Sequence, residues 1–197
     1  MINENLNVSR ETFANYVELL EKWNSKINLV SKDEDIWHRH ILDSAQLFQF
    51  IHPDDKVLDV GSGAGFPGII LSMMGIKDVT LVESDVRKAA FLLQAAKLSP
   101  NKITILNERI EKLDLTCDIL TSRAFASVSD ILNFCQNIKI KKNLLLLKGQ
   151  KLMMEIEEAK NIWNFEYKIH QSVTDNSGWV VEIKYDNSNC KSERRGR

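Results

Sequence analysis

The segment that decides the fold reads Val57-Leu58-Asp59-Val60-Gly61-Ser62-Gly63-Ala64-Gly65-Phe66-Pro67-Gly68. An apolar run breaks here into a glycine-rich turn, which predicts a strand, a loop and the start of a helix. Glycine tolerates positive φ and carries no Cβ, so the backbone can approach a nucleotide-like ligand closely. Asp59 is a charge inside the apolar run, and a buried carboxylate persists when backbone N–H groups or a ligand satisfy it. The segment therefore predicts a nucleotide-type site braced by Asp59.

The spacing of the glycines bears on which nucleotide would bind. A dinucleotide fingerprint needs its third glycine three residues after the second. Counted from Gly61, that position holds Phe66. Counted from Gly63, the spacing is met by Gly65 and Gly68, but this register starts two residues beyond the strand. The dinucleotide interpretation is therefore disfavoured.

The composition is that of an ordinary globular protein. The 197 residues are 44% hydrophobic and 27% charged, which predicts one domain with a sizeable core. The formal net charge of -1 gives no overall attraction to nucleic acid, so such a contact would need a local basic surface. We expect one domain over residues 1–186, with a helical extension at 1–52 and a cofactor-binding core at 53–186. The basic tail at 187–197 is predicted to be disordered.

Cysteine usage and the lengths of the apolar runs bear on the compartment. Cys117, Cys135 and Cys190 form no C-x-x-C pair, which fits neither a disulfide framework nor a zinc site. The N-terminus lacks the apolar stretch of a signal peptide, and no apolar run approaches the roughly 18 residues of a membrane span. We therefore expect a cytoplasmic monomer that needs no metal and no membrane.

Two helices are predicted before the glycine-rich segment. Apolar residues recur at steps of three and four from Ser9 to about residue 24, which indicates the first helix. Ser31 and Glu34 have the spacing of a capping box, which predicts a second helix from there to about residue 51.

The second predicted helix carries a cluster of polar side chains. His40 lies one turn from both Asp43 and Ser44. A catalytic triad needs an exposed nucleophile and an oxyanion hole, which one helix face does not supply. We interpret the cluster as a polar group that locks the helix to the glycine-rich loop or touches a ligand.

An acidic residue ends the second predicted strand, at residues 79–83. Glu83 lies 22 residues past Gly61, which is the place where a carboxylate accepts hydrogen bonds from a ribose diol. The alternative is an ordinary surface glutamate at a strand end. The spacing favours a nucleoside ligand.

The rest of the chain predicts a parallel sheet that ends in an antiparallel hairpin. Such a sheet differs from the six-stranded dinucleotide fold. The predicted elements are strands at 103–106, 118–123 and 144–149, helices at 67–74, 85–98, 128–137 and 150–163, and a hairpin of 165–173 with 179–185.

Three further candidate residues fall at predicted strand ends. Arg123 ends the fourth strand opposite the glycine-rich loop, where a guanidinium could form a fork to a carboxylate or phosphate. A surface arginine without a role is the alternative. Glu111 follows the third strand and would edge an adenine ring, and Lys148 marks the end of the fifth strand. Candidates for RNA phosphate contact, against a merely solvated face, are Arg87, Lys88, Lys139, Lys141 and Lys142.

A nucleoside ligand, this sheet and Glu83 together predict an α/β, Rossmann-like class I S-adenosylmethionine-dependent methyltransferase. The strand exit Ser122-Arg123-Ala124-Phe125 lacks the Asn/Asp-Pro-Pro-aromatic tetrad of enzymes that methylate exocyclic amines. Cys117 precedes a strand and Cys135 lies in a helix, which disfavours a thiol nucleophile for pyrimidine carbon. A ring nitrogen such as guanine N7 needs no proton removed, so alignment alone could supply catalysis.

Several strings, in order over nearly the whole chain, make the prediction more specific. The strings are Trp23-Asn24-Ser25-Lys26-Ile27-Asn28-Leu29, Arg39-His40-Ile41-Leu42-Asp43-Ser44, GSGAGFPG at 61–68, Leu81-Val82-Glu83-Ser84, Arg109-Ile110-Glu111, Ser122-Arg123-Ala124 and Leu147-Lys148-Gly149. With these strings the chain resembles the bacterial 16S rRNA guanine-N7 methyltransferase family, also called glucose-inhibited division protein B.

The resemblance implies a substrate and a set of site residues. The substrate would be one guanine of 16S rRNA, alone or in the small ribosomal subunit. Our hypothesis gives Arg123 and Lys148 the cofactor carboxylate or an RNA phosphate, while His40 and Asp43 shape the site. Alternatives are another RNA, a protein or a small molecule as substrate, or a non-catalytic RNA-binding module. The implied contacts to S-adenosylmethionine, with Glu83 at the ribose, are Gly61, Gly63, Gly65, Phe66, Glu83, Ile110, Glu111 and Arg123.

Overall fold

The computed structural model describes residues 9–184, and a single seven-stranded sheet runs through them. The strand order is β3-β2-β1-β4-β5-β7-β6, with β7 antiparallel to both of its neighbours and the other pairs parallel. The predicted parallel sheet with a terminal hairpin is therefore confirmed. The predicted tail at 187–197 and Cys190 lie outside the described residues. The strands are β1 (Lys56–Val60), β2 (Asp78–Val82), β3 (Lys102–Leu106), β4 (Leu115–Arg123), β5 (Ile138–Lys148), β6 (Glu166–Gln171) and β7 (Trp179–Lys184).

Helices cover both faces of the sheet. Val57 and Leu58 point to opposite faces because side chains alternate along a strand, and they belong to two separate apolar clusters. The first cluster contains α1 to α4, and the second contains α5 and α6. The helices are α1 (Arg10–Asn24), α2 (a π-helical Trp37–Leu42, then Asp43–Ala45, then a 3₁₀ turn Gln46–Phe50), α3 (Gly68–Met73), α4 (Val86–Ala95, with a 3₁₀ turn Ala96–Leu98), α5 (Val128–Phe134) and α6 (Leu152–Ile162), and a short 3₁₀ turn covers Ile110–Lys112.

Helix α2 begins later than the capping-box pattern predicts. Asp35 accepts hydrogen bonds from the backbone N–H groups of Trp37 and His38, at 3.0 and 3.1 Å, and so caps the helix in place of Ser31. Glu34 does not reach back to Ser31, because its carboxylate is held by His40 at 2.8 Å. The predicted helix start is therefore wrong by about five residues, whereas the predicted end is confirmed.

Strand β5 is longer than the predicted strand, because it begins at Ile138 and contains three of the candidate RNA-contacting lysines. Two of these lysines lie near carboxylates in the amino-terminal half of β4 and just before β1. Lys141 pairs with Asp118 at 3.2 Å and Lys142 pairs with Asp55. The glycine-rich loop lies at the carboxyl ends of the strands, so this cluster is at the opposite edge of the sheet from that loop.

Two features that are absent from residues 9–184 bear on a membrane and on a metal. None of the helices there combines the length and apolar character needed to cross a bilayer. The same residues contain no group of three or more His, Cys, Asp or Glu side chains arranged to hold a metal ion.

Candidate functional site

The glycine-rich loop leaves β1 at the carboxyl edge of the sheet, between β2 and β4. Gly61 and Gly63 have φ of +68° and +54°, the left-handed region that favours glycine. A Cβ on Gly61 would collide with the ring of Phe125, whereas a Cβ on Gly63 would meet only the Gly61 carbonyl, at 3.8 Å. A side chain at position 63 would therefore fill the open space that a ligand needs.

Asp59 braces this loop as the sequence predicts. Its Oδ2 accepts a hydrogen bond from the Gly68 N–H at 3.1 Å, and its carbonyl accepts one from the Ser62 hydroxyl at 2.9 Å. The side chain is fully buried, and Oδ1 has no hydrogen-bond partner among the residues that the structure describes. Burial raises the pKa of Asp59 to about 7, although the bond from Gly68 opposes the shift.

This raised pKa predicts how stability changes with pH. The folded state binds the Asp59 proton more tightly than the unfolded state, so the favourable contribution present at acid pH is lost as pH rises towards about 7. We expect Asp59→Asn to remove this slope. Between about pH 5 and about pH 8, the free energy of unfolding of the wild type should fall by about 3 kcal/mol relative to the variant.

Urea unfolding of both proteins at these two pH values measures the difference. Asp78→Asn is the control, because that carboxylate lies near the surface and pairs with Lys102 at 3.5 Å. A constant difference between the wild type and Asp59→Asn across the pH range would contradict the buried protonated carboxyl.

Helix α1 reaches the glycine-rich loop through a buried tyrosine. The Tyr16 hydroxyl donates a hydrogen bond to the Ala64 carbonyl at 2.6 Å. The Tyr16 ring meets the edge of Phe66, with centroids 5.6 Å apart and planes at 84°. The N-terminal extension is therefore part of the support for the loop.

Removing this hydroxyl leaves a buried carbonyl without its donor. We expect Tyr16→Phe to lower the free energy of unfolding by about 1–3 kcal/mol, the cost of an unsatisfied buried acceptor. Urea unfolding measures the loss. Tyr167→Phe on the outer strand β6 is the control and should cost less than about 0.5 kcal/mol. Equal losses in the two variants would contradict a specific role for the Tyr16 bond.

Glu83 and Gly63 face one another in a cavity of about 310 Å³ beside the loop, which we call the glycine-loop cavity. Glu83 Oε2 accepts from the Gly63 N–H at 2.9 Å, and Oε1 accepts from the Asp85 N–H at 2.8 Å. The structure thus brings Gly61, Gly63, Glu83, Ile110 and Glu111 together, as predicted for a nucleoside site. The lining residues are Gly61, Gly63, Val82, Glu83, Ser84, Lys88, Glu108, Arg109, Ile110, Glu111, Ala124, Phe125 and Phe134.

Two predicted cofactor contacts, Gly65 and Phe66, are not among the residues that line the glycine-loop cavity. Gly65 packs against Ile69, and a Cβ there would collide with that side chain. Phe66 is buried, and its ring stacks on His40 with centroids 5.0 Å apart and planes at 21°. In the structure these two residues pack against the protein interior and support the loop. Their contact with a cofactor stays a prediction.

Arg123 lies in a second, larger cleft of about 890 Å³, which we call the arginine cleft. The guanidinium donates to the Arg39 carbonyl at 2.9 Å, lies 3.6 Å from Asp43 Oδ2 and sits over the Phe66 ring at 5.3 Å. Its side chain is only 17% exposed, so these contacts fix its direction. The lining residues are His38, Arg39, Asp43, Arg123, Ala124, Phe125, Ala126, Leu147, Lys148, Gly149, Glu155, Val173, Thr174, Asp175, Asn176, Gly178 and Trp179.

His40 connects Arg123 to Glu34. Its Nε2 lies 2.8 Å from Glu34 Oε2, and its Nδ1 is hydrogen-bonded to the Arg123 guanidinium. A carboxylate can only accept and a guanidinium can only donate, so the neutral ring carries its proton on Nε2. Burial and the positive charge of Arg123 lower the pKa of His40 to about 4, despite the opposing effect of Glu34. The histidine is therefore neutral at physiological pH.

Asp43 is held between α2 and the hairpin. Its Oδ1 accepts from Gln46 Nε2 at 2.7 Å and from the Thr174 hydroxyl at 3.0 Å. Burial raises the pKa of Asp43, although the charge of Arg123 opposes the shift. Ser44 donates to the His40 carbonyl at 2.6 Å and not to the ring, so the cluster is not a catalytic triad, as the sequence indicated.

Lys148 is nearly buried at the other side of the arginine cleft. Its ammonium donates to Glu155 at 2.8 Å and to the Ala126 carbonyl. Glu155 Oε2 also accepts from the Val128 N–H at 3.0 Å. These bonds tie the loop after β4 to β5 and α6.

Sequence reasoning missed four residues that hold the site together. Tyr16 acts through a bond to Ala64, 48 residues further along the chain, and no local pattern marks that contact. Glu34 bonds His40 only six residues on, at a spacing that the capping-box pattern does not consider. Glu155 lies seven residues after Lys148, which a helix-based search for ion pairs does not find. Phe125 directly follows the exit of a strand, and an aromatic residue in that place is a signal that the sequence offers.

The family model of rRNA small subunit methyltransferase G matches residues 9–179. The chain belongs to this family. The predicted family and enzyme class are therefore confirmed. Among relatives that bear the name ribosomal RNA small subunit methyltransferase G, one from Orientia tsutsugamushi (strain Boryong) is 51% identical over 189 residues, covering 93% of this chain and 96% of the relative. One from Rickettsia prowazekii (strain Madrid E) is 50% identical over 176 residues, covering 88% and 91%.

Solved structures of methyltransferases share the fold of this chain. Magnesium protoporphyrin IX methyltransferase from Synechocystis PCC 6803, crystallised with bound S-adenosylmethionine, superposes with a TM-score of 0.60 at 15% identity, covering 88% of this chain and 93% of that chain. A ribosomal protein L11 methylase from Lactobacillus delbrueckii subsp. bulgaricus gives 0.58 at 15% identity, covering 74% and 77%. The predicted class I methyltransferase fold is confirmed.

Proposed function

We propose that this chain transfers a methyl group from S-adenosylmethionine to N7 of a guanine in 16S rRNA. Membership of the small subunit methyltransferase G family supports the RNA. The observation that carries the proposal is the junction of the two cavities at the carboxyl edge of the sheet. Gly63 and Glu83 line one cavity, Arg123 lines the other, and Ala124 with Phe125 line both.

The glycine-loop cavity fits an adenosine group. Gly63 leaves open space where a Cβ would stand, and the Glu83 carboxylate beside it can accept hydrogen bonds from two ribose hydroxyls. Ile110 and Glu111 would border the adenine. When bound, S-adenosylmethionine supplies an electrophilic methyl group on its sulfonium.

Guanine N7 suits the groups that the arginine cleft offers. N7 carries a lone pair and no proton, so the reaction needs alignment and no general base. His40 Nδ1 already accepts from Arg123, and Asp43 is engaged by Thr174 and Arg123. We therefore assign His40 and Asp43 to holding Arg123 in place, and Arg123 to a cofactor carboxylate or an RNA phosphate.

Covalent catalysis through a cysteine is disfavoured within residues 9–184. Burial raises the pKa of both Cys117 and Cys135 to about 12, so these thiols stay protonated and are poor nucleophiles. The Lys148 ammonium already bonds Glu155 and the Ala126 carbonyl. These bonds favour a role for Lys148 in positioning the loop after β4 and disfavour its direct contact with phosphate.

Mapping of the methylated nucleoside tests the proposed function. The purified chain is incubated with labelled S-adenosylmethionine and small ribosomal subunits, or naked 16S rRNA, from cells that lack the chain's gene. Mass spectrometry of digested RNA should find one N7-methylguanosine at one position. A methyl group on an exocyclic amine, on a ribosomal protein or on neither substrate would contradict the proposal. Because the proposed substrate is the rRNA of the small ribosomal subunit, we place the activity in the cytoplasm. Action as a monomer stays a prediction.

A further inference from the structure

The two cavities adjoin at the exit of β4. Of the residues that line the glycine-loop cavity, Ala124 and Phe125 also line the arginine cleft. A methyl group that passes from a cofactor in one cavity to a base in the other crosses this shared wall. Of the two shared residues, Phe125 has the large side chain, and it stands where donor and acceptor would meet.

Phe125 is exposed at this wall and supported from behind. It is 39% exposed, although it is a large apolar side chain. Its ring lies against Gly61, where any Cβ would collide with it, and it meets the Phe134 ring at 5.9 Å with planes at 60°. One side of the ring is thus packed while part of its surface stays open to solvent.

The backbone that presents Phe125 is held from both sides. Ala124 has φ of +51°, a left-handed conformation that is uncommon for a residue with a Cβ. Lys148 donates to the Ala126 carbonyl, and the Ser127 side chain accepts from the Asp130 N–H to cap α5. A sparsely populated backbone conformation persists when its surroundings over-determine it, and such positions cluster at functional sites.

We propose that Phe125 is the stacking platform for the target guanine, an inference that rests on the proposed function. Every nucleobase offers a flat π-face to an aromatic side chain, and such stacking contributes substantially to binding of unpaired bases. The N7 lone pair lies in the plane of the base. A guanine stacked on Phe125 has the tilt of this plane fixed, so the platform would align N7 with the methyl group as well as bind the base.

Substitutions that keep or remove the π-face test this role. Phe125→Leu keeps an apolar side chain without an aromatic face, whereas Phe125→Tyr and Phe125→Trp keep the face. Single-turnover methylation of small subunits at saturating S-adenosylmethionine gives the RNA dependence, and calorimetry gives cofactor affinity. We expect Phe125→Leu to lower kcat/KM for the RNA roughly 10- to 100-fold. Tyr, Trp and the control Leu93→Ala, an exposed side chain on α4, should stay within about threefold of the wild type.

Quenching of tryptophan fluorescence adds a measurement that would not change if Phe125 had only a structural role. Titration of Phe125→Trp with small subunits in the presence of S-adenosylhomocysteine should quench more emission than the wild type loses, because a stacked base quenches indole. The inference is overturned if Phe125→Leu methylates as fast as the wild type, if Tyr and Trp are as defective as Leu, or if no extra quenching occurs. It is also overturned if Phe125→Leu loses cofactor affinity in parallel, which would make the ring a support for Gly61.

Failure of the proposed function itself would be seen separately. Wild-type protein that leaves 16S rRNA without N7-methylguanosine overturns the substrate, and the stacking inference with it, before any variant is compared.

Discussion

Replacing Glu83 by alanine is expected to weaken the binding of S-adenosylmethionine roughly 100-fold, or about 3 kcal/mol. The ribose hydroxyls would lose two hydrogen bonds to the carboxylate, and hydrogen bonds to a charged group contribute about 1.5–3 kcal/mol each. The backbone N–H groups of Gly63 and Asp85 would also lose their acceptor. The change therefore removes a ligand contact and loosens the loop that surrounds the ligand.

Calorimetric titration with S-adenosylmethionine measures the loss. Glu83→Gln keeps one acceptor oxygen without the charge, so its affinity should fall between those of the wild type and Glu83→Ala. Glu108→Gln is the matched control, because that carboxylate lines the same cavity but pairs with Lys112 at the surface, at 3.0 Å. If Glu83→Ala, folded as judged by circular dichroism, bound the cofactor within threefold of the wild type, Glu83 would not contact the ribose.

The role of Glu83 also illustrates what local sequence can predict. Strand β2 and the glycine-rich loop are both marked by short apolar runs and glycines, and parallel strands bring their carboxyl ends to one edge of the sheet. The spacing between Gly61 and Glu83 therefore translates into proximity in space. The terminal hairpin follows from the same kind of local pattern.

The arginine cleft depends on contacts that local patterns do not encode. The hydrogen bond between Arg123 and His40 joins residues 83 positions apart, and no spacing rule links a strand exit to a helix that precedes the whole sheet. Glu34 fits a capping box by local pattern, but its carboxylate bonds His40, six residues on, and the helix begins only at Trp37. The sequence thus predicted the candidate residues of this cleft without the partners that fix their roles.

Replacing Arg123 by alanine is expected to lower kcat/KM for RNA methylation at least about 100-fold, since a buried charge network loses its central cation. The variant leaves the Arg39 carbonyl, His40 Nδ1 and Asp43 without their common donor. Arg123→Lys keeps the charge but not the planar fork that reaches several acceptors together, so we expect only partial recovery. Steady-state methylation of small subunits measures both variants.

The pKa of His40 gives this prediction a second, independent measurement. The charge of Arg123 helps to hold that pKa at about 4, together with burial. Its removal should raise the pKa, with Glu34 still favouring the imidazolium. NMR titration of the His40 ring in Arg123→Ala should therefore show protonation at higher pH than in the wild type.

A cation at the opposite edge of the sheet provides the control. Lys77 precedes β2 and pairs with Asp54 at 2.7 Å on the surface, so Lys77→Ala should leave both methylation and the His40 titration unchanged. If Arg123→Ala bound the cofactor and methylated RNA like the wild type, Arg123 would have no part in the reaction. Activity could also fall while the His40 pKa stays at its wild-type value. Arg123 would then act on the ligand without contacting His40, and the network from Glu34 through His40 would not position Arg123.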